Sequence, residues 1–285
     1  GPAIGTLKLK DVRDLHLQTI LNTQAGMSYS HVSKLRMVMQ ELFRQARRSR
    51  LIIYDPAEGL LLPESVKRSH RPITKAERRH ILAVAQNHPA GLWVLTILYT
   101  GLRPGETAAL FWEDIDFDRN EIHVYKAVES GTRTIKAPKT PAGIRDIPMR
   151  QELRERLLAV RGEGTAPVFP SANGGIRSAN SLRRLWNSFA HALDLHMGAK
   201  VRDGQILQHA IAPDLTPYCL RHTFCTDLQR AGVPINVAKE LMGHANISVT
   251  ANIYTHRDQK VLHNNMAKLN PKGRRAVGKA QEKTV

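Results

Sequence analysis

Arg103 stands between two glycines, in Gly101-Leu102-Arg103-Pro104-Gly105-Glu106, directly after a run of almost purely apolar residues. An unpaired guanidinium is costly in such a place. Either Glu106 holds it in a buried salt bridge, or it is an anion clamp on a backbone made compact by Gly101 and Gly105. Lys139 lies in Ala-Pro-Lys-Thr-Pro-Ala-Gly (residues 137–143), a turn between two expected strands, where a lysine is normally soluble surface. Tyr218 and Arg221 fall three apart in Thr-Pro-Tyr-Cys-Leu-Arg-His-Thr-Phe (216–224), so on a helix they share a face and point together at one target. Leu220, Phe224 and Leu228 form that helix's apolar stripe, and His222, elsewhere on it, reads as a core-satisfying or surface histidine. His244 follows Gly243 just after a helix, with Asn246 placed to cap the next short one, which Tyr254 ends. A histidine there usually caps or hydrogen-bonds, and a tyrosine near a chain end usually packs. Each residue has an ordinary explanation alone; the joint pattern does not.

The chain that must position these groups has 285 residues, enough for one large domain or two ordinary ones. Lys plus Arg is 42 against 25 for Asp plus Glu, a net charge of +17. Such a surplus attracts polyanions, most often nucleic acid; the plainer alternatives are a ribosome-associated protein or a basic tail on an unrelated enzyme. The two cysteines, Cys219 and Cys225, are spaced for neither a disulfide framework nor a zinc cluster, and read as buried reduced thiols in a cytoplasmic setting. The longest apolar run, residues 92–102, is too short to span a bilayer, and the N-terminus lacks the apolar core of a signal peptide. The expectation is a soluble, DNA-associated protein with no membrane partner.

The first segment reads as helical. Residues 11–23 carry Val12, Leu15, Leu17, Ile20 and Leu21 on one side, interrupted by His16. A longer helix after Ser28 or Ser30 repeats Val32, Leu35, Val38, Met39, Leu42, Phe43 and Ala46 at the spacing of a buried face. Its end is densely basic, and Arg44, Arg47, Arg48 and Arg50 are either a solvated face or phosphate contacts. Two prolines then bracket a polar stretch without apolar periodicity that contains Lys67, Arg68 and Arg71. We expect a helical domain over 1–63, a linker over 64–72 and a second domain over 73–285.

In the second domain, Thr74 and Glu77 have the spacing of a capping box. A buried helix (92–100) leads into the Arg103 block. Residues 115–117 and 121–126 flank Asp118-Arg119-Asn120 as a hairpin, with a third strand at 144–148. Helices are expected from Gln151 to fill most of the rest; one starts at Thr216-Pro217 and ends at Gly232, and another runs from Pro234 to Met242-Gly243. The fold class is mainly α with a small antiparallel β-sheet.

Three blocks of the sequence resemble the tyrosine recombinase, or phage integrase, family: Tyr-Thr-Gly-Leu-Arg-Pro-Gly-Glu (99–106), Leu-Arg-His-Thr-Phe (220–224), and Leu-Met-Gly-His-Ala-Asn (241–246) running on to Ala-Asn-Ile-Tyr-Thr-His (251–256). A weaker match, Pro138-Lys139-Thr140 followed by Arg145-Asp146-Ile147-Pro148, looks like the family's lysine-bearing hairpin. Within the family the chain looks most like integrases of phages and conjugative transposons. The resemblance implies a core-binding domain followed by a recombinase catalytic domain. It makes Arg103 and Arg221 the arginine pair, Lys139 the hairpin lysine, His244 the second-histidine position and Tyr254 the nucleophile. Tyr218 departs from the pattern, standing where the family commonly has a histidine. The first domain also looks N-terminally incomplete, with the opening helices and the arm-binding domain of many integrases missing.

A DNA phosphodiester resists attack because its charge repels nucleophiles and its leaving alkoxide is a strong base. Two guanidinium forks can neutralise the non-bridging oxygens and the charge of a five-coordinate transition state. A phenol has a reference pKa of about 10, so about one part in a thousand is ionised at neutral pH and a positive pocket must assist. The resemblance implies attack by Tyr254 to give a 3′-phosphotyrosine, with Lys139 as general acid, His244 and Tyr218 as hydrogen-bonding groups, and no cofactor or metal. It also implies double-stranded attachment-site DNA as partner and a homo-tetramer on it. The C-terminal tail, with Val261, Leu262, Met266 and Leu269 in a short amphipathic pattern, either docks on a neighbouring subunit or packs on its own domain. The competing expectations are a type IB topoisomerase-like enzyme and a DNA-binding regulator with a decayed active site.

Overall fold

The computed structural model describes residues 4–65, 70–129, 133–254 and Met266, and, of residues 252–254, the backbone alone. The expectations for Lys67, Arg68, Val261, Leu262 and Leu269 lie outside the described residues. The chain divides into two compact units, residues 1–69 and 70–285.

The first unit contains α1 (Asp14–Asn22) and α2 (Tyr29–Arg48). Ser28 caps α2 by accepting a hydrogen bond from the His31 amide at 3.3 Å. Leu17, Leu21, Val32, Met39, Phe43 and Ala46 form the core with Ile52, Ala57 and Leu60. The expected apolar stripes are wider than the face that is covered. Leu15 is 70 % exposed on α1, and Val38 and Leu42 are 54 % and 64 % exposed on α2, because the described segments of the unit pack against only one side of each helix.

The second unit is built around α4 (Gly91–Thr100), which is apolar all round and buried at nearly every position. It follows α3 (Lys75–Val84), whose capping box is formed as expected, with Thr74 Oγ1 accepting from the Glu77 amide at 3.1 Å. After α5 (Pro104–Ala108) come β1 (Ile115–Asp116), β2 (Glu121–Val124), β3 (Ala127–Val128), β4 (Ile135–Lys136) and β5 (Arg145–Pro148). β1, β2 and β5 make an antiparallel sheet with Ile122 opposite Ile147 and Val124 opposite Arg145; β3 and β4 make a separate two-stranded ladder. Helices α6 (Gln151–Leu158) and α7 (Ala179–His196) follow. The second half is not purely helical: β6 (Lys200–Arg202) and β7 (Gln205–Gln208) form a hairpin before α8 (Pro217–Arg230), α9 (Ile235–Met242) and α10 (Ile247–Tyr254). Trp93, Leu95, Ile97 and Leu98 of α4 pack in one core with Ile122, Ile147, Leu153, Phe189 and Leu220. Full burial of each such side chain contributes roughly 1.5–3 kcal/mol, so the helix that delivers the Arg103 block is firmly anchored in the core. Among the described residues no helix is long and apolar enough to cross a membrane.

Candidate active site

Helix α4 ends at Gly101 in the left-handed conformation, φ 66°. A Cβ there would lie 2.5 Å from Phe224 Cδ1 of α8, so both the conformation and the packing require glycine. Helix α9 ends the same way at Gly243, φ 61°, where a Cβ would lie 2.7 Å from an Arg145 nitrogen. These two corners present main-chain carbonyls to arginines. Arg221, buried, donates to the carbonyls of Gly101 and Met242. Arg103 donates to the Gly243 carbonyl at 2.9 Å, and Arg145 donates from Nε to the Leu241 carbonyl at 2.8 Å. Carbonyls at a helix C-terminus carry the negative end of the helix dipole, which suits them to hold cations without cancelling a full charge.

One carboxylate joins the group. Glu106 Oε1 accepts from Arg103 at 2.7 Å, and its two oxygens accept from Arg145 at 3.2 and 2.9 Å. Both alternatives offered for Arg103 therefore bear on it: it is paired with Glu106, and it also lines an open cleft. Burial alone would push the Glu106 carboxyl up, but Arg145, followed by Arg221 and Arg103, outweighs it and holds the group down at about 2. Three guanidiniums against one carboxylate leave a local surplus of positive charge. Burial, reinforced by the Arg103 charge, lowers Arg221 to about 9, which still leaves it charged at neutral pH. His244 is buried; desolvation first, then Arg221, Arg103 and Arg145, lower its imidazole to about 4. It is therefore neutral at pH 7, with Nδ1 against Thr250 Oγ1 at 2.9 Å.

The cleft beside this cluster has a volume of about 780 Å³ and is walled by α5, β3, the lysine loop, α7 and the start of α8. Arg103, Lys139 and Tyr218 line it together, with Val128 and Trp186 among its apolar walls. Lys139 is exposed on a loop closed by the turn Pro141–Gly143, where a Cβ on Gly143 would collide with the Pro138 ring. Tyr218 does not converge with Arg221 as their helical spacing led us to expect. Arg221 turns inward to the carbonyls, whereas Tyr218 is 44 % exposed and stacks on His70, with ring centroids 5.1 Å apart and planes 16° apart. Tyr254 closes α10, and its side chain lies outside the described residues.

The expected DNA-contacting residues fall in varied settings. Arg44 pairs with Glu41 at 2.5 Å and Arg47 with Glu58 of a later turn at 3.7 Å, all four exposed, with Arg48 and Arg50 exposed at and just after the end of α2. Arg71 is bound on two sides, to Glu77 at 2.8 and 2.7 Å and to Asp214 at 3.0 and 3.1 Å. The residue that the sequence reading missed is Arg145. Its signal was its place in β5, where alternation puts Arg145 and Ile147 on the buried face, and a buried arginine requires a carboxylate. Cys219 and Cys225 are buried and unpaired, and burial raises the Cys225 thiol to about 11. Among the described residues no group of three or more metal-ligating side chains is assembled.

A mainly helical fold with small antiparallel sheets around such a cleft is that of tyrosine recombinase catalytic domains. The structure of the Tn1549 transposon integrase in complex with a circular intermediate DNA superposes with a TM-score of 0.73 at 23 % identity, over 92 % of this chain and 87 % of that one. A lambda integrase dimer bound to a core site gives a TM-score of 0.61 at 17 % identity, over 90 % and 85 %. The phage integrase family model matches residues 71–260, and the chain belongs to that family. It is 27 % identical over 283 residues to a XerC-like tyrosine recombinase of Caldanaerobacter subterraneus subsp. tengcongensis, covering 93 % of this chain and 72 % of that protein. It is 30 % identical over 166 residues to the transposase of transposon Tn916 from Enterococcus faecalis, covering 57 % of this chain but only 41 % of the relative. The protein is a tyrosine site-specific recombinase related to the integrases of conjugative transposons.

Proposed function

We propose that this recombinase breaks and rejoins double-stranded DNA at the attachment sites of a mobile element, integrating and excising it through a 3′-phosphotyrosine on Tyr254. The observation that carries the reading is the gathering of Arg103, Lys139 and Tyr218 around one cleft, with Arg221 and His244 tied to the same helix corner that holds Arg103. The relatives point the same way: one is the transposase of a transposon, and the solved integrases are bound to a circular intermediate and to a core site.

In this mechanism Arg103 and Arg221 neutralise the non-bridging oxygens as negative charge builds on them. The Tyr254 oxygen bonds to phosphorus while the bond to O5′ breaks. Lys139 gives its proton to the departing 5′-oxygen. Neutral His244, whose Nδ1 faces Thr250 Oγ1, accepts the phenol proton at Nε2, and the imidazolium so formed then donates that proton in a hydrogen bond to a non-bridging oxygen. The phosphotyrosine ester conserves the energy of the phosphodiester, so the 5′-hydroxyl of a partner strand reverses the step and restores the phenol without a nucleotide cofactor. Exchange between two duplexes uses four such sites, hence a homo-tetramer on DNA, joined through the C-terminal tail.

The test is a nicked attachment-site duplex that loses its 5′-fragment on cleavage and traps the protein. The wild-type chain is expected to form a covalent adduct, and Tyr254→Phe to bind the duplex and form none. An adduct with the phenylalanine variant reassigns the nucleophile. No adduct with the wild-type chain on its own site favours the regulator reading, to which the tyrosine at 218 lends its one specific support. Exchange of partners between two matched sites separates a recombinase from a topoisomerase.

A further inference from the structure

Arg145 hydrogen-bonds through all three of its guanidinium nitrogens and does not itself line the cleft. Its side chain is 1 % exposed, against 36 % for Arg103. It donates to both oxygens of Glu106, to the Leu241 carbonyl at the end of α9 and, at 3.2 Å, to the Gly143 carbonyl that ends the lysine loop. One guanidinium thus bridges the elements that carry Arg103, Lys139 and His244.

The charge count gives this bridge a chemical consequence. Glu106 helps to orient Arg103, accepting from the Arg103 amide at 2.8 Å and from its guanidinium at 2.7 Å. A lone carboxylate paired with a lone guanidinium would cancel the charge that a phosphate must meet. Arg145 lies on the buried side of the same carboxylate and compensates it from within, so the exposed Arg103 keeps its own charge uncancelled.

We propose that Arg145 is a positioning residue that keeps Arg103 available to the scissile phosphate by neutralising Glu106 from the buried side. The proposal rests on the recombinase reading of the cleft. It differs from a plain packing role in what it predicts for the charge of the substrate. A guanidinium matters to cleavage chiefly through the anionic non-bridging oxygens. A substrate with a neutral methylphosphonate at the scissile position lacks that charge and relaxes the need for Arg103.

The experiment is single-turnover cleavage of a nicked attachment-site duplex carrying either a phosphodiester or a methylphosphonate. Wild type is compared with Arg145→Met and with the double variant Glu106→Gln/Arg145→Met, and duplex affinity is measured for each. On the phosphodiester, Arg145→Met is expected to cleave at least 30-fold more slowly than wild type, with affinity within 3-fold. On the methylphosphonate the gap should close to within 5-fold. The double variant removes the anion together with its buried partner, and should recover at least 10-fold over Arg145→Met. If Arg145→Met does not fold, the double variant carries the test, with cleavage within 10-fold of wild type expected and a loss beyond 100-fold in a folded protein overturning the proposal. Equal slowing on both substrates, or no slowing, also overturns it. Absence of wild-type cleavage on the phosphodiester instead removes the recombinase reading beneath it.

Discussion

The Arg221 guanidinium donates to the main-chain carbonyl of Gly101, the residue that ends α4 in the left-handed conformation. The contact joins two blocks 120 positions apart. It also fixes the direction of the arginine's fork, because the second nitrogen reaches the Met242 carbonyl at the end of α9. A lysine could carry the charge but could not satisfy both corners at once. Arg221→Lys is therefore expected to bind duplex DNA within a few-fold of wild type. Its cleavage should be slower by about 10²–10³, the scale of losing one fixed donor to a transition-state anion. Single-turnover adduct formation measures it; a variant as fast as wild type would show that charge alone suffices.

Gly101 is under a double constraint, a positive φ and the Phe224 ring against its α-carbon. Gly101→Ala should lower the melting temperature by several degrees, from about 1–2 kcal/mol of left-handed strain plus the cost of moving Phe224. Gly101→Ala/Phe224→Leu should regain part of it. If the single variant melts with wild type, the glycine is dispensable.

Acid should loosen the second unit in two stages. His244 has a folded pKa of about 4, below its ordinary 6.5, so the unfolded chain takes up the proton first and stability falls as pH drops from 6.5 towards 4. The contribution is about 3 kcal/mol at its limit. Glu106, held at about 2, adds a second loss as pH falls from 4.5 towards 2. Urea melts of wild type and His244→Asn between pH 4 and 7 read the first stage. The asparagine variant should show the shallower slope, and identical slopes would remove His244 as its source.

As the proposed general acid, Lys139 would protonate a leaving alkoxide, a task that disappears when the bridging oxygen is replaced by sulfur, because a thiolate leaves unaided. Lys139→Ala should lose about 10²–10⁴ in cleavage of the ordinary duplex, the range of general acid catalysis. On a 5′-bridging phosphorothiolate it should approach wild type. A defect that persists on the sulfur substrate would assign the lysine to binding.

Tyr218 lines the cleft while its ring lies on His70. With a phenolic hydrogen bond to the phosphate, Tyr218→Phe should keep the stack and lose about 10-fold in cleavage, the scale of one hydrogen bond to a charged group. Tyr218→His should do no worse. If the phenylalanine variant is unimpaired, the hydroxyl has no part in the reaction.

What could be read from the sequence followed from local chemistry. The apolar run of α4, the proline that opens α8 and the glycines that close α4 and α9 each act through their own backbone, and the elements form where those signals stand. The β6–β7 hairpin was missed although Asp203-Gly204, both at positive φ, is a strong turn signal. Its strands are nearly all exposed, and exposed strands carry no buried alternation to reveal them. Val38 and Leu42 misled because periodicity shows that a face is apolar, not that anything covers it. The place of Arg145 was legible only as an inward position on a strand. Its partners Glu106 and Leu241 are 39 and 96 positions away, and only the folded topology brings them to it.

The imbalance of three guanidiniums around Glu106 has a practical corollary for the protein without its substrate. A tetrahedral oxyanion that enters the cleft beside Arg103, sulfate or inorganic phosphate alike, should relieve that tension and favour the native state in proportion to its occupancy. A thermal midpoint recorded in phosphate buffer thus reports partly on the buffer, and the intrinsic value emerges only in a medium whose anions are too bulky or too weakly charged to enter.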